Sequence, residues 1–393
     1  MHISALEKKV NCCGCSACAH LCPKNCITMQ EDEEGFLYPK VNESSCVDCE
    51  LCVKTCPLAK EKYKVTANHL AVPLAYAAKH KEDGVRSKST SGGIFTALSD
   101  FVLTEGGAVC GAVFNEKNQR IEHAICYTRE ERDRMRGSKY VQSHIGDIFP
   151  RIKELLENDV MVLFTGTPCQ CAGLIAFLRN DYTKLFVVDI LCHSVPSPLI
   201  LRETTKRYCD TVENLSFRNK TLGWRNSYEF MIAKKEGGLI KDSGYLSLFF
   251  KGLINRPSCH QCKFTNMYRP SDITIGDYWN INKVDATFED SLGVSSIFVN
   301  SEKGQSLMLS ISNDIETRQT GLENAMQACT SRQSPMPRGV RNKFWKLYRK
   351  KGFDYIYDKY GHYTCWETFR DRTLAPTIRK IGFATLLRKI VKR

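Results

Sequence analysis

No run in this chain approaches the about eighteen consecutive apolar residues that a membrane-spanning helix needs. Its first residues, MHISALEKKVNCCGC, lack the apolar core of a secretory signal, so export is not expected. Wholesale disorder is excluded too, because 42% of the 393 residues are hydrophobic and only 25% charged. What is present in excess is cysteine, with 20 residues. In an unexported protein thiols stay reduced, so disulfides are a poor explanation and metal is the remaining one. The net charge of +13 is uneven: residues 1–60 carry 6 basic and 8 acidic side chains, while 341–393 carry 15 basic and 4 acidic. The basic surplus belongs to the tail.

Cys12, Cys15, Cys18 and Cys22 read C-x2-C-x2-C-x3-C before Pro23, and Cys46, Cys49, Cys52 and Cys56 repeat the pattern before Pro57. Three thiolates at steps of three wrap one face of a cubic iron–sulfur cluster, and the fourth, where proline turns the chain away, reaches the other cube. One [4Fe–4S] cluster is therefore expected on Cys12, Cys15, Cys18 and Cys56, the other on Cys46, Cys49, Cys52 and Cys22. Zinc also takes C-x2-C pairs but has no use for a third cysteine at the next step. The segment resembles bacterial ferredoxins throughout. The acidic run Glu31 to Glu34 falls between the repeats as a hairpin or loop, and Cys13 and Cys26 are surplus, expected as packed thiols. Such a module passes single electrons and performs no substrate chemistry.

Beyond a polar stretch over 61–74, expected as a linker, the pattern alternates. Helical spacing over 91–107, 145–159 and 171–180 interleaves with buried-strand patterns over 108–114, 160–166 and 184–192, as in a parallel sheet with crossover helices. Two loops precede helix starts with small and hydroxyl residues: KSTSGG (88–93) and TGTPCQ (165–170). Both suit a phosphate at a helix N-terminus, although neither is a GxGxxG or Walker motif and both could be ordinary capped starts. Cys169 and Cys192 end predicted strands at one sheet edge, and Cys259 and Cys262 form a C-x2-C. Spacing leaves two readings open: a third cluster, or two buried thiols and half a zinc site.

SKSTSGG (87–93), RGSKYVQS (136–143), TGTPCQ (165–170), CHSVPSP (192–198), RPSCHQCKF (256–264) and SDITIGDYW (271–279), in this order, resemble the beta-subunit family of coenzyme F420 hydrogenase/dehydrogenase over about residues 70–300. The resemblance implies a non-covalently bound FAD and a further [4Fe–4S] cluster on Cys169, Cys192, Cys259 and Cys262. The FAD site would draw on Ser89, Ser91, Gly92 and Gly93, on Ser138, Lys139 and Tyr140, and on Thr165, Gly166, Thr167 and Pro168. Lys139, beside a reduced flavin, and His193, as a proton donor, are the candidate catalytic residues; a surface lysine and a satisfied histidine are the plainer readings. Where the family has Cys-His-Gly, this chain has Ser194. Arg218, Lys220, Trp224 and Asp277 are weaker candidates for substrate or cofactor contact.

The expected fold class is α/β, α+β over the whole chain: a two-cluster ferredoxin-like domain over 1–60, a linker over 61–74, a flavin-binding α/β domain with a further cluster over 75–300, and a basic, mostly helical extension over 301–393. KFWKLYRKKGFDYIYDKYG (343–361) and TIRKIGFATLLRKIVKR (377–393) pair basic with apolar residues; they suit a helical cap, an anionic membrane surface or a protein partner, and no nucleic-acid motif accompanies them. The expected location is the cytoplasm, at most peripheral to the membrane's inner face. A flavin converts between one-electron clusters and a two-electron substrate. The leading expectation is thus an iron–sulfur flavoprotein oxidoreductase exchanging electrons with a low-potential partner such as ferredoxin and passing hydride to a small molecule. The alternative is an electron-transfer subunit without its own substrate site.

Overall fold

The computed structural model describes residues 3, 9–59 and 63–362. The N-terminal repeats fold as two matched halves. Helix α1 (Ala17–Leu21) and helix α2 (Leu51–Thr55) each begin after a left-handed residue, Ser16 and Glu50, and each ends on an extended cysteine, Cys22 and Cys56. Gly14 and Asp48 also have positive φ, at the same place in each loop. Alternating left-handed residues turn successive backbone N–H groups to one side, which makes a concavity for an anion. Strands β1 (Ile27–Glu31) and β2 (Leu37–Val41) form the antiparallel hairpin between the halves. At its acidic tip Asp32 accepts from the N–H groups of Glu34 and Phe36, and Gly35 takes the left-handed position.

The larger architecture is an eight-stranded mixed sheet between helical layers. Strands β3 (His69–His80), β4 (Ala108–Asn115), β5 (Arg120–Cys126), β6 (Val162–Gly166) and β7 (Leu185–Ile190) precede an inserted three-stranded sheet of β8 (Val212–Ser216), β9 (Phe230–Lys234) and β10 (Leu239–Asp242). Strands β11 (Ile273–Asp277), β12 (Ser295–Ser301) and β13 (Ile315–Thr320) complete the large sheet in the order β13-β3-β12-β11-β7-β6-β4-β5. The run β11-β7-β6-β4 is parallel, and the flanking strands pair antiparallel. The helices α3 (Asp83–Ser87), α4 (Ile94–Thr104), α5 (Arg129–Asp133), α6 (Ile148–Glu157), α7 (Pro168–Leu178) and α8 (Pro198–Lys206) fall between them.

Side chains of the central strands alternate between two cores, as the pleat dictates. Val162, Phe164, Leu185 and Val187 meet Phe149 and Ile152 of α6 and Leu174 and Phe177 of α7 on one face. Leu163, Phe186 and Val188 meet Ile94, Leu98 and Val102 of α4 on the other. The first core also takes in Cys13, Cys15 and Ala17, so the N-terminal module is packed on α6 and α7. There the His20 ring meets Phe149 edge-on at 5.4 Å, and its Nε2 donates to the Gly146 carbonyl at 2.7 Å.

Two stretches differ from their expected place. Within 61–74, Tyr63 is buried against the Phe264 ring and β3 already begins at His69, because β12 and β13 supply antiparallel partners from far along the chain. Past residue 300, Glu302–Ser310 is a helix against the sheet and β13 closes its edge, so the α/β unit runs to Met336. A second unit comprises 243–253 and the chain from Pro337. In it Gly244 admits the Tyr357 ring, Trp345 Nε1 donates to the Leu253 carbonyl at 3.1 Å, and the helix Arg338–Tyr360 kinks at Gly352. Residues 377–393 lie outside the described residues. Among those described, no helix is long and apolar enough to cross a membrane.

Candidate functional site

Three sets of thiols emerge. Cys22 of the first repeat joins Cys46, Cys49 and Cys52 of the second around a small open cavity walled by Ile27, Val41 and Leu51. Cys26 lines the same cavity, its Sγ 3.3 Å from that of Cys22. The second set is Cys12, Cys15, Cys18 and Cys56. Burial pushes the Cys18 thiol up, and so do Cys12 and Cys56; burial likewise raises Cys56, with Cys12 adding to it.

The third set forms at the C-terminal edge of the parallel strands. Thr167 caps α7 reciprocally with Gln170, and Pro168 occupies its first turn, which fixes Cys169 just beyond β6. Cys192 lies just past β7, and Cys259 and Cys262 sit on the turn Pro257–Gln261 and at its end. Burial, then Cys259, Cys169 and Cys262, pushes Cys192 up; burial and Cys262 push Cys259 up to about 12; burial and Cys169 raise Cys262. The Cys13 thiol and then burial raise Cys169. Four half-buried thiols that oppose each other's ionisation become a favourable set of thiolates only around a cationic centre. The donor sets therefore fit iron–sulfur clusters in all three places.

Of the residues expected around a flavin, those of the 88–93 and 136–140 loops are brought together. Gly93 is the left-handed N-cap of α4, and Gly92 packs so closely on the sheet that a Cβ would lie 2.5 Å from the Ala78 carbonyl. Thr90 Oγ1 accepts from Ser138 N at 2.8 Å, joining the 88–93 and 136–140 loops. The Ser89 hydroxyl donates to the Val85 carbonyl of α3, and those of Ser91 and Thr165 donate to the carbonyls of Val294 and Cys110 at the sheet. Ser138 Oγ also reaches Thr90 Oγ1 at 3.3 Å, so these hydroxyls are engaged within the protein, and loop N–H groups and cations are the donors that would meet an anion. Gly137, left-handed, has open space where a Cβ would stand, with only Thr90 Oγ1 at 4.0 Å. Lys139 donates to the carbonyls of Arg134 and Arg136, and burial pushes its pKa down to about 7. His193 Nε2 donates to Gln327 Oε1 at 3.1 Å, and burial lowers its pKa.

The weaker candidates are tied together more tightly than the stronger ones. Arg218 pairs with Asp277 at 3.1 Å, reaches the Tyr140 hydroxyl at 3.3 Å and lies over the Tyr228 ring at 4.3 Å. Trp224 stacks on Trp279 at 4.7 Å and donates to Asp277 at 2.7 Å. Lys220 donates to the carbonyls of Arg86, Ser91 and Leu292; burial pushes it down to about 7. Sequence reasoning missed Tyr228 and Trp279, which carry no spacing signal. It also missed His123, whose Nε2 donates to Thr165 O at 3.0 Å while its Nδ1 accepts from Ser143 Oγ.

The fold and the thiol sets define an iron–sulfur protein of the oxidoreductase class. Family comparison makes this specific: residues 75–149 and 160–322 match the models for the N-terminal and C-terminal parts of the coenzyme F420 hydrogenase/dehydrogenase beta subunit, and residues 11–59 match a 4Fe-4S dicluster domain. The chain belongs to this beta-subunit family and is an iron–sulfur electron-transfer subunit of that type. Among solved structures it is similar to a chain in the F420-reducing [NiFe] hydrogenase complex from Methanosarcina barkeri, at 20% identity and TM-score 0.45, covering 75% of this chain and 91% of that one. No curated protein matches.

Proposed function

We propose that the chain is an iron–sulfur flavoprotein oxidoreductase, exchanging single electrons with a low-potential partner such as ferredoxin and a hydride with a small organic molecule. Coenzyme F420, named in the family description, is one candidate acceptor; an unsaturated or keto biosynthetic intermediate is the other. The observation that carries the reading is the convergence of Cys169, Cys192, Cys259 and Cys262, from three segments, at the sheet edge against which the N-terminal module is packed. A ferredoxin with a mere docking domain has no need of it.

In this reading Cys12, Cys15, Cys18 and Cys56 hold one cluster, Cys22, Cys46, Cys49 and Cys52 a second, and the sheet-edge cysteines a third. The 88–93 and 136–140 loops, with the capped start of α7 at Thr165–Pro168, hold the FAD. That group, when bound, supplies the conversion between single electrons and a hydride. The chain's own part is to bind and orient. Lys139, easily neutralised at about 7, can hold or release a proton at Nζ beside the ligand. Tyr140, Tyr228 and Trp279 stack in sequence, at 6.1 and 6.0 Å, as the aromatic wall for a planar substrate, and Arg218, held by Asp277, lies over the Tyr228 ring. His193 is retained as the alternative proton donor, acting from the Gln327 side.

Anaerobic purification with iron, sulfide and flavin measured on one sample tests the reading. About twelve irons and one FAD per chain are expected for three cubes and a flavin. About eight irons without flavin would leave a ferredoxin fused to a docking domain.

A further inference from the structure

Arg256 is fully buried, at 0% exposure, and its partners are neutral. Its Nε donates to the Cys12 carbonyl at 2.9 Å, Nη1 to Gln142 Oε1 at 2.7 Å, and Nη2 to the Leu37 carbonyl at 2.9 Å; Nη2 also approaches Cys12 Sγ at 3.6 Å. Tyr38 and Phe36 cover it, with ring centroids at 4.4 Å and 5.2 Å. A guanidinium buried without a carboxylate is costly and calls for another anion nearby. The geometry points to the charge's location: Cys12, Cys13 and Cys259 all lie within its electrostatic reach.

The same seam brings two thiol sets against each other. Cys13 lies between Cys15 of the N-terminal module and Cys169 of the sheet edge. On α7, a Cβ at Gly173 would stand 2.7 Å from Cys15 Cβ and 2.9 Å from its Sγ, so only glycine lets that helix approach so closely. Gln142, which holds Arg256, also donates to the Cys13 carbonyl at 3.0 Å.

We propose that Arg256 is the positioning residue of the electron path between the cluster on Cys12, Cys15, Cys18 and Cys56 and the cluster on the sheet-edge cysteines. Its hydrogen bonds lock the Cys12 loop to the α/β unit, and its charge raises the first cluster's reduction potential. This rests on the three-cluster reading above. A thiolate-bound cube is anionic and gains a further negative charge when one electron enters. A fixed cation beside Cys12 therefore favours the reduced form, and a hydrogen bond to a cluster sulfur acts in the same direction. Electrons arriving from the Cys22 cluster are drawn to the cube that adjoins the sheet edge.

The test is an EPR-monitored redox titration of the anaerobic full-length protein, its R256K, R256M and Q142E variants, and C18S to identify the first cluster's signal, with iron and sulfide measured on each. R256K is expected to keep that midpoint. R256M is expected to lower it by at least tenfold in the electron-transfer equilibrium, about 59 mV per tenfold for one electron. Q142E places a carboxylate against the guanidinium without removing it, and is expected to shift the same midpoint in the same direction. A first cluster lost in R256M and Q142E but kept in R256K supports the same role for the charge. Fully loaded R256M or Q142E with an unmoved midpoint overturns the proposal, as does cluster loss in all three variants, which marks Arg256 as structural only. A wild-type protein without the first cluster sinks the three-cluster reading instead.

Discussion

The N-terminal module and the α/β unit hold cysteines by opposite means. In the module the ligands lie within short repeats, and the buried apolar cluster around them consists of Ile3 and Ile27 with Cys18, Cys22, Cys26 and Cys52. Four of those six residues are cysteines, so among the described residues the module's own core rests largely on the side chains that would bind the metal. In the α/β unit the four sheet-edge thiols come from three segments, and the sheet beneath them has its own cores of Val, Ile, Leu and Phe. The module is therefore expected to need its metal to fold, and the α/β unit to build its site without it.

The largest effect that could break this contrast is iron removal. Chelation under oxidant is expected to expose residues 9–59 to protease, because metal binding there is folding free energy. Residues 75–320 should stay protected, and mass mapping of the fragments reads both outcomes together. Equal cleavage in the two regions would show that both depend on metal alike.

A narrower form separates the sites one at a time. Cys192→Ser is expected to lose about four irons per chain and keep a near wild-type circular dichroism spectrum. Cys18→Ser should lose a similar amount and also make the module protease-sensitive. Retention of all iron in Cys192→Ser would remove that residue from the ligand set.

The contrast also explains what the amino-acid order reveals. In the module, Cys22 lines one cavity with Cys46, Cys49 and Cys52, the grouping that the spacing predicts. In the α/β unit, periodicity placed β4, β6, β7, α4, α6 and α7 to within a few residues, and strand ends put Cys169 and Cys192 on one edge. It could not place Cys259 and Cys262 beside them, because β8 to β10 and their loops intervene. Nor could it show that β3 begins at His69, since its partners β12 and β13 are distant in sequence. Arg256 stands in a motif whose spacing speaks only for its cysteines, and nothing in the sequence sets Cys13 apart from a packed thiol. Both matter only once the module is seated on α7.

That seating is sharpened by a smaller change. At Gly173 any side chain must displace Cys15, so Gly173→Val is expected to cost about 1–3 kcal/mol as overpacking. With about 2–4 °C per kcal/mol in a domain of this order, the melting temperature should fall by several degrees. The first cluster's spectrum should change while the Cys192 site keeps its iron. An unchanged melting temperature would mean that α7 and the Cys15 loop part readily.

The smallest effect concerns the loop after β6. His123 stacks on Phe164 at 5.4 Å, donates from Nε2 to the Thr165 carbonyl and accepts from Ser143, which in turn accepts from Gln170 at 3.0 Å. Burial pushes its pKa down to about 4, so the folded protein holds this imidazole neutral while the unfolded chain begins to protonate near 6.5. Stability from this group is therefore complete above pH 6.5 and falls as the pH drops from about 6.5 towards 4. By pH 6 the loss is about 1 kcal/mol, small enough to measure by urea titration before acid attacks the metal sites. His123→Gln can keep the donor and the acceptor but cannot protonate, so its stability should be flatter between pH 7.5 and 6. If wild type and variant decline in parallel, the acid sensitivity comes from elsewhere, with His20, His69, His80, His144 and His193 the other histidines that burial holds low.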